Sequence, residues 1–220
     1  MRAVIIGAGS HGKVVLEILR EQGHEPIGWL DDTEAFWGTE RSGIPVLGGI
    51  DNLHALDPQD AGAVIAIGHT LPRMAIGERV RAMGFSLLNA IHPSAVVMRG
   101  VTLGYGNCVC AGAILGTDTK VGSMVIVNTR ASIDHDSVVE DGAWIAPGVC
   151  TAGGITVGRG AYISIGAVLT ARVRIGEGAV VGAGAVVTRD IPPRVLALGV
   201  PARIVRPIDA AFNWQRLISG

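Results

Sequence analysis

From Ala95 to Asp190 the chain repeats one six-residue pattern without a break, and that period restricts the fold more than anything else in it. Cut into hexads, the segment reads AVVMRG, VTLGYG, NCVCAG, AILGTD, TKVGSM, VIVNTR, ASIDHD, SVVEDG, AWIAPG, VCTAGG, ITVGRG, AYISIG, AVLTAR, VRIGEG, AVVGAG and AVVTRD. The third position is Val, Leu or Ile in every hexad but one, which carries Thr151, and the first is most often Ala, Val or another small residue. An α-helix cannot use a period of six, because 3.6 residues per turn carry the apolar position around the whole cylinder. A coil of three short strands can use it. Each hexad then supplies one strand and one corner, and each third-position side chain stacks on its counterpart eighteen residues later, which predicts a β-helix of a little over five coils. Gly at the fourth position (Gly104, Gly116, Gly122, Gly158, Gly176, Gly182) is expected at the corners, where a positive φ or a lack of side-chain room is needed. A Gly- and Val-rich sandwich would instead show uneven strand spacing and hairpin turns.

The first ninety residues follow another rule. Met1 to Ile6 is a short apolar run, followed at once by Gly7-Ala8-Gly9-Ser10-His11-Gly12 and a helical pattern through Val14, Val15, Ile18 and Leu19. This is G-x-G-x-x-G between a strand and a helix, in which glycines let the backbone approach a phosphate at the helix N-terminus. A second strand, Pro26 to Leu30, ends in Asp31-Asp32, where an acidic side chain can reach a ribose or a base edge. Ala63 to Ile67 reads as a buried parallel strand ending at Gly68-His69, and Arg73 to Met83 as the helix after it. Strand alternating with helix implies a small parallel sheet that binds ligands beyond the carboxyl ends of its strands. Gly7 to Gly12, Asp31-Asp32 and Gly68-His69 all fall on that edge, with His11 either against a phosphate or at the helix start only. A full dinucleotide site needs two such halves, and the chain leaves for the hexads at His92-Pro93, so one nucleotide diphosphate is the expected guest. The expected divisions are a nucleotide-binding βαβ domain over 1–92, a β-helix over 93–206 and a short amphipathic helix over 207–220, with Ile208, Phe212 and Leu217 on its apolar side.

Composition narrows the partners. With 49% hydrophobic and 17% charged residues there is ample material for a core, and a net charge of −1 without a basic cluster points away from nucleic acid and from anionic membranes. Nothing at the start reads as a secretory signal and no apolar run approaches a spanning helix, so a cytoplasmic protein is expected. Cys108, Cys110 and Cys150 are odd in number and lack metal-ligand spacing, which predicts free thiols.

One of the six histidines lies within the hexads. His135 is the fifth residue of its hexad, two beyond the inward Ile133, and so belongs to a corner rather than the core. An imidazole there can take a proton from an attacking nucleophile, and Asp134 or Asp136 can fix its tautomer, though spacing does not choose between them. Gly153, one coil later in Ala152-Gly153-Gly154, stacks beside that corner, where its N–H can donate to a developing oxyanion. A single coil histidine cannot supply the three protein ligands of a catalytic zinc, so no metal is expected.

These residues resemble a known family. Gly7 to Lys13, Asp31-Asp32, Ala66-Ile67-Gly68, His92-Pro93-Ser94-Ala95, Asn128 through Asp136 and Gly199-Val200-Pro201-Ala202-Arg203 together are similar to the sialic-acid and amino-sugar acetyltransferases of the left-handed β-helix superfamily. The resemblance covers the whole chain and includes N-acetyltransferases acting on nucleotide-linked 4-amino-sugars. It implies a homotrimer with three active sites between neighbouring solenoids, acetyl-CoA along the coils and the nucleotide-sugar on the N-terminal domain. By that resemblance His135 is the base, Asp136 the acidic residue after it, often Glu elsewhere, and Gly153 the oxyanion donor. Asn128 matches a position near the sugar, Ile165 and Ala183 match the CoA groove, and Gly9, Ser10, His11, Asp31 and Asp32 match the nucleotide contacts. Some members carry a second histidine near the acetyl group where this chain has Trp144, whose ring can pack on the pantetheine arm.

The expected activity is therefore transfer of acetyl from acetyl-CoA to the amine of a UDP-, GDP- or dTDP-linked amino-deoxy sugar, in surface glycan or glycoprotein synthesis. Two alternatives stand beside it: O-acetylation of sialic acid or a polysaccharide hydroxyl, and a non-catalytic scaffold that binds nucleotide-sugars. A relay through a cysteine is disfavoured, since none of the three lies in the His135 hexad or the two flanking it.

Overall fold

A computed structural model describes residues 1–209. The chain divides into two compact units, one of Met1–Pro93 with Tyr105–Cys110, the other of Ser94–Gly104 with the residues from Ala111 onward.

The first unit is built on a three-stranded parallel sheet. Strand β1 (Arg2–Ile6) lies between β2 (Glu25–Leu30) and β3 (Ala61–Ile65), with helix α1 (Ser10–Glu21) after β1 and α2 (Thr70–Ala82) after β3. The apolar runs are central because both faces of this sheet are covered: Val4, Ile5, Ile6, Ala63, Val64 and Ile65 are all buried. Strand β3 and α2 begin two to three residues earlier than the apolar pattern suggests. Ala61 and Gly62 belong to β3 although neither is a strong strand former, since their neighbours in β1 supply the ladder.

The second unit is the expected solenoid. One face stacks Val96–Val97, Ile114–Leu115, Ser132–Ile133, Cys150–Thr151, Val168–Leu169 and Val186–Val187 in parallel. A second stacks Thr102–Leu103, Lys120–Val121, Val138–Val139, Thr156–Val157 and Arg174–Ile175. The third carries Ile126–Val127, Trp144–Ile145, Tyr162–Ile163 and Val180–Val181, followed by Val195–Leu198 and the antiparallel Arg203–Pro207. Between hexads every register step is eighteen residues, shortening to sixteen where Val180–Val181 pairs with Leu196–Ala197, and the apolar third-position residues from Leu115 to Val187 are buried, each supplying roughly 1.5–3 kcal/mol of apolar burial.

Two corner positions do different work, which the hexads alone do not separate. Positive φ falls on the sixth residue, as at Gly100, Gly112, Gly148, Gly166 and Gly184, and at Asp136 with φ 57°. The fourth-position glycines are there for want of room. A Cβ on Gly116 would stand 2.6 Å from the amide nitrogen of His135 and 2.7 Å from the carbonyl carbon of Asp134. Pro207, expected in the tail helix, instead closes the last strand, and residues 210–220, on which most of that helix falls, lie outside the described residues.

Candidate active site

In the first unit the parallel sheet brings Gly7, Asp31 and Ala66 to one edge, because each directly follows the carboxyl end of a strand or the residue beside it. Gly7 has φ 107°, and a Cβ there would meet the Ala66 carbonyl oxygen at 2.9 Å, so the turn closes only with glycine. Gly12 packs α1 onto that turn, where a Cβ would collide with the Gly7 carbonyl oxygen. No side chain caps α1, and Gly9 and Ser10 are exposed, which leaves first-turn amides to face an anion.

Asp31 and Asp32 take separate parts. Asp31 accepts hydrogen bonds from the Ala8 amide at 2.8 Å and the Thr33 amide at 2.9 Å, tying the second strand's end to the glycine turn. Burial pushes its pKa up, but hydrogen bonds from Thr33 and Ala8 and the charge of Arg41 outweigh that and hold the carboxyl below its ordinary value. Asp32 is exposed and accepts from the Ile50 amide at 2.8 Å.

His11 sits in the first turn of α1, half-buried. Desolvation, then the charge of Arg73, lowers its pKa to about 4, so at neutral pH its ring is uncharged. Arg73 was not singled out by its place in the sequence. It is 1% exposed, and its Nη1 donates to the carbonyls of Gly68 at 2.6 Å and Ile67 at 3.2 Å, holding the loop after β3 in place.

In the second unit His135 and Gly153 meet at the corner between the first and second faces. The imidazole is exposed, and its Nδ1 lies 2.7 Å from Asp136 Oδ2. Asp134 does something else: its Oδ1 accepts the His135 backbone amide at 2.8 Å. The Asp136 hydrogen bond, then the negative charge of Asp134, raises the His135 pKa above its ordinary value. Gly153 lies against the other side of the ring, where a Cβ would stand 2.6 Å from both Nε2 and Cε1. Its amide has no acceptor among the described residues, while its carbonyl takes the Arg172 amide at 3.1 Å.

The remaining predicted positions lie elsewhere. Ile165 and Ala183 are exposed and stack on the corner between the third and first faces, where the Gly184 amide donates to the Ile165 carbonyl at 2.9 Å. Asn128 is half-buried on the same side of the coil, its Oδ1 accepting the Thr129 amide at 2.8 Å. Trp144, on the third face, sets its ring edge to face against Tyr162 with centroids 5.5 Å apart.

A hexapeptide solenoid with a histidine and a carboxylate paired at one corner, beside an open backbone amide, defines a hexapeptide-repeat acyltransferase. The model of the PglD N-terminal domain matches residues 2–80, and that of the bacterial transferase hexapeptide (six repeats) matches residues 154–189. Among solved structures, PerB from Caulobacter crescentus in complex with CoA and GDP-perosamine is 42% identical, covers 94% of this chain and 98% of its own, and superposes with a TM-score of 0.89. The acetyltransferase domain of PglB from Neisseria gonorrhoeae, in complex with acetyl coenzyme A, is 33% identical over 93% of this chain and 98% of its own, with a TM-score of 0.88. The UDP-N-acetylbacillosamine N-acetyltransferase of Bacillus subtilis is 34% identical over 111 residues, which is 49% of this chain and 50% of that relative's length. The chain belongs to the left-handed β-helix family of nucleotide-linked amino-sugar N-acetyltransferases.

Proposed function

We propose that this chain transfers the acetyl group of acetyl-CoA to the amine of a nucleotide-linked amino-deoxy sugar. The observation that carries the reading is the His135 corner: Nδ1 engaged by Asp136, Nε2 beside Gly153, and the Gly153 amide open to an incoming oxygen. Residues 1–92 hold the nucleotide through the amides of Gly9, Ser10 and His11 and the side chains of Asp31 and Asp32, with Gly68 closing the edge. Asn128 contacts the sugar, and Trp144, Ile165 and Ala183 contact CoA. The relatives solved with CoA and GDP-perosamine, and with acetyl coenzyme A, support the pairing of these two kinds of substrate.

The chemistry follows from the protonation states. The sugar nitrogen attacks the thioester carbon, and as the C–N bond forms the carbonyl electrons move onto oxygen, where the Gly153 N–H meets them. His135 Nε2 removes a proton from the attacking nitrogen; Asp136 stabilises the imidazolium. When the tetrahedral species collapses, the C–S bond breaks and the imidazolium returns its proton to the CoA sulfur.

A homotrimer fits the same reading. His135 and Gly153 stand on one corner of the coil, and Ile165 and Ala183 on another, with the whole first face of the solenoid between them. One solenoid therefore keeps its base apart from its own CoA corner, whereas a neighbour's CoA corner packed against the base brings the two together. Light scattering is expected to return the mass of three 22.7 kDa chains. Among the described residues no helix is long and apolar enough to cross a membrane, and we place the reaction in the cytoplasm, where acetyl-CoA and nucleotide-sugars are available.

The test is acetyl-CoA-dependent thiol release with a panel of GDP-, UDP- and dTDP-linked amino sugars and with free sialic acid. Release with at least one nucleotide-linked amine, faster than with sialic acid, is expected. Release with none of the amines would overturn the assignment, and faster turnover of sialic acid would point to O-acetylation. The pH dependence adds a second check. On acidification kcat/KM falls as the ring becomes protonated, and because Asp136 raises the His135 pKa the fall sets in at higher pH than for an unpaired histidine. In Asp136→Asn the charged partner is gone, the imidazolium is less stable, and the acid limb is expected to move to lower pH. An unmoved limb would separate Asp136 from the base.

A further inference from the structure

The hexad Val149-Cys150-Thr151-Ala152-Gly153-Gly154 breaks the repeat at its inward third position, the one place where a hydroxyl replaces Val, Leu or Ile. Thr151 is 5% exposed and pairs with Leu169 one coil later, while toward the coil before the ladder keeps Ser132 with Cys150 but does not pair Ile133 with Thr151, so a hydroxyl stands in an otherwise apolar column. A hydroxyl buried there is destabilising unless it is hydrogen-bonded. Its partner is the catalytic corner. On this face the residue after each strand donates its amide to the carbonyl of the inward residue one coil on: Met98 to Leu115 at 3.0 Å, Gly116 to Ile133 at 2.7 Å, Ala152 to Leu169 at 2.9 Å and Thr170 to Val187 at 3.0 Å. At the His135 corner that ladder bond is replaced. The Asp134 amide donates to Thr151 Oγ1 at 3.1 Å.

Two more buried hydroxyls complete the arrangement, both at inward first positions of their hexads. Thr119 Oγ1 donates to the Asp134 carbonyl at 3.1 Å, and Ser137 Oγ donates to the His135 carbonyl at 3.3 Å while accepting the Ile155 amide at 3.3 Å. Both side chains are fully buried. With the Asp134 carboxylate on the His135 amide and the Gly154 amide on the His135 carbonyl at 2.8 Å, all four backbone polar groups of Asp134 and His135 are engaged, three of the bonds by interior hydroxyls.

We propose that Thr151 is a positioning residue for His135, with Thr119 and Ser137 as its supports, and that it sets the height of the corner between the coils so that the ring rests on Gly153. The inference rests on the reading of His135 as the base. A hydroxyl reaches further from its own backbone than the ladder carbonyl does. Restoring the apolar consensus therefore leaves the Asp134 amide without its acceptor unless the corner moves toward the next coil to regain a carbonyl. Such a shift carries the imidazole with it, and misplacement by about 1 Å is enough for roughly a 10²-fold loss of rate.

The experiment compares Thr151→Val with Thr151→Ser in the full chain, measuring kcat, both KM values and melting temperature. Thr151→Val is expected to lower kcat by roughly 10- to 100-fold with both KM values within about threefold, in a folded protein, and Thr151→Ser to keep kcat within about threefold. A purely structural role would move the melting temperature and leave kcat of the folded protein intact. Normal kcat in Thr151→Val, or a loss in Thr151→Ser as deep as in Thr151→Val, overturns the proposal. If Thr151→Val does not fold, Thr119→Val decides on the same terms, since it removes the donor to the Asp134 carbonyl: reduced kcat supports the cradle and normal kcat overturns it. His135→Ala is run alongside. An inactive His135→Ala with a normal Thr151→Val sinks this inference alone, whereas a normal His135→Ala sinks the reading on which it rests.

Discussion

Replacing His135 by Ala is expected to lower turnover on a nucleotide-linked amino sugar by about 10²–10⁴-fold, the range spanned by loss of a positioned general base. The side chain is exposed and contributes nothing to the packed column behind it, so melting temperature should stay within a few degrees of the parent. Nucleotide affinity should stay as well, because the candidate nucleotide contacts belong to residues 1–92. The combination is diagnostic: turnover lost, fold and ligand-induced thermal shift retained. Near-normal turnover would remove the mechanism, and a lost thermal shift would show that the substitution disturbed more than the base.

Gly153→Val is expected to cost on the order of 10²-fold in kcat by a different route. A Cβ at this position would lie 2.6 Å from Cε1 and Nε2 of His135 and 3.1 Å from Cδ2, closer than carbon and nitrogen tolerate. The obstructing atoms are the free end of an exposed ring rather than backbone, so the ring gives way and the coil does not. Gly153 also lacks the positive φ seen at Gly154, and valine can adopt its backbone without strain. The swung ring leaves both the Gly153 amide and the Asp136 carboxylate. The acid limb of the pH profile should therefore shift in the same direction as in Asp136→Asn, while melting temperature changes little. A kcat within threefold of the parent would show that the ring's seat on this glycine is not needed.

The two halves of the chain differ in how openly they declare themselves. In the solenoid, register is periodic, so counting by eighteen already places Gly153 next to His135 and Ile165 next to Ala183. What counting cannot do is choose among groups at one corner. Asp134 and Asp136 flank the histidine symmetrically in the sequence, and only the backbone separates them: the positive φ at Asp136 turns its carboxylate to Nδ1, while Asp134 folds back onto the His135 amide. Thr151 was visible as a break in the pattern, but that its hydroxyl takes the place of a ladder carbonyl at the Asp134 amide is a matter of distance between coils. In residues 1–92 the glycine turn and the acidic pair were legible from local spacing. Arg73 was not, because arginine in a helix is ordinarily a surface residue, and its burial against the Ile67 and Gly68 carbonyls arises from how α2 packs on the sheet.

The amino-acid order by itself determined the six-residue period, the inward column, the glycine turn at the end of the first strand and the one histidine at a solenoid corner, because each is a matter of spacing along the chain. The tertiary structure alone decided which carboxylate serves that histidine, which side of its ring Gly153 occupies, and which interior hydroxyls hold its backbone. Those are distances between coils and turns of φ, and a hydrogen bond distinguishes between neighbours on a scale finer than any residue count.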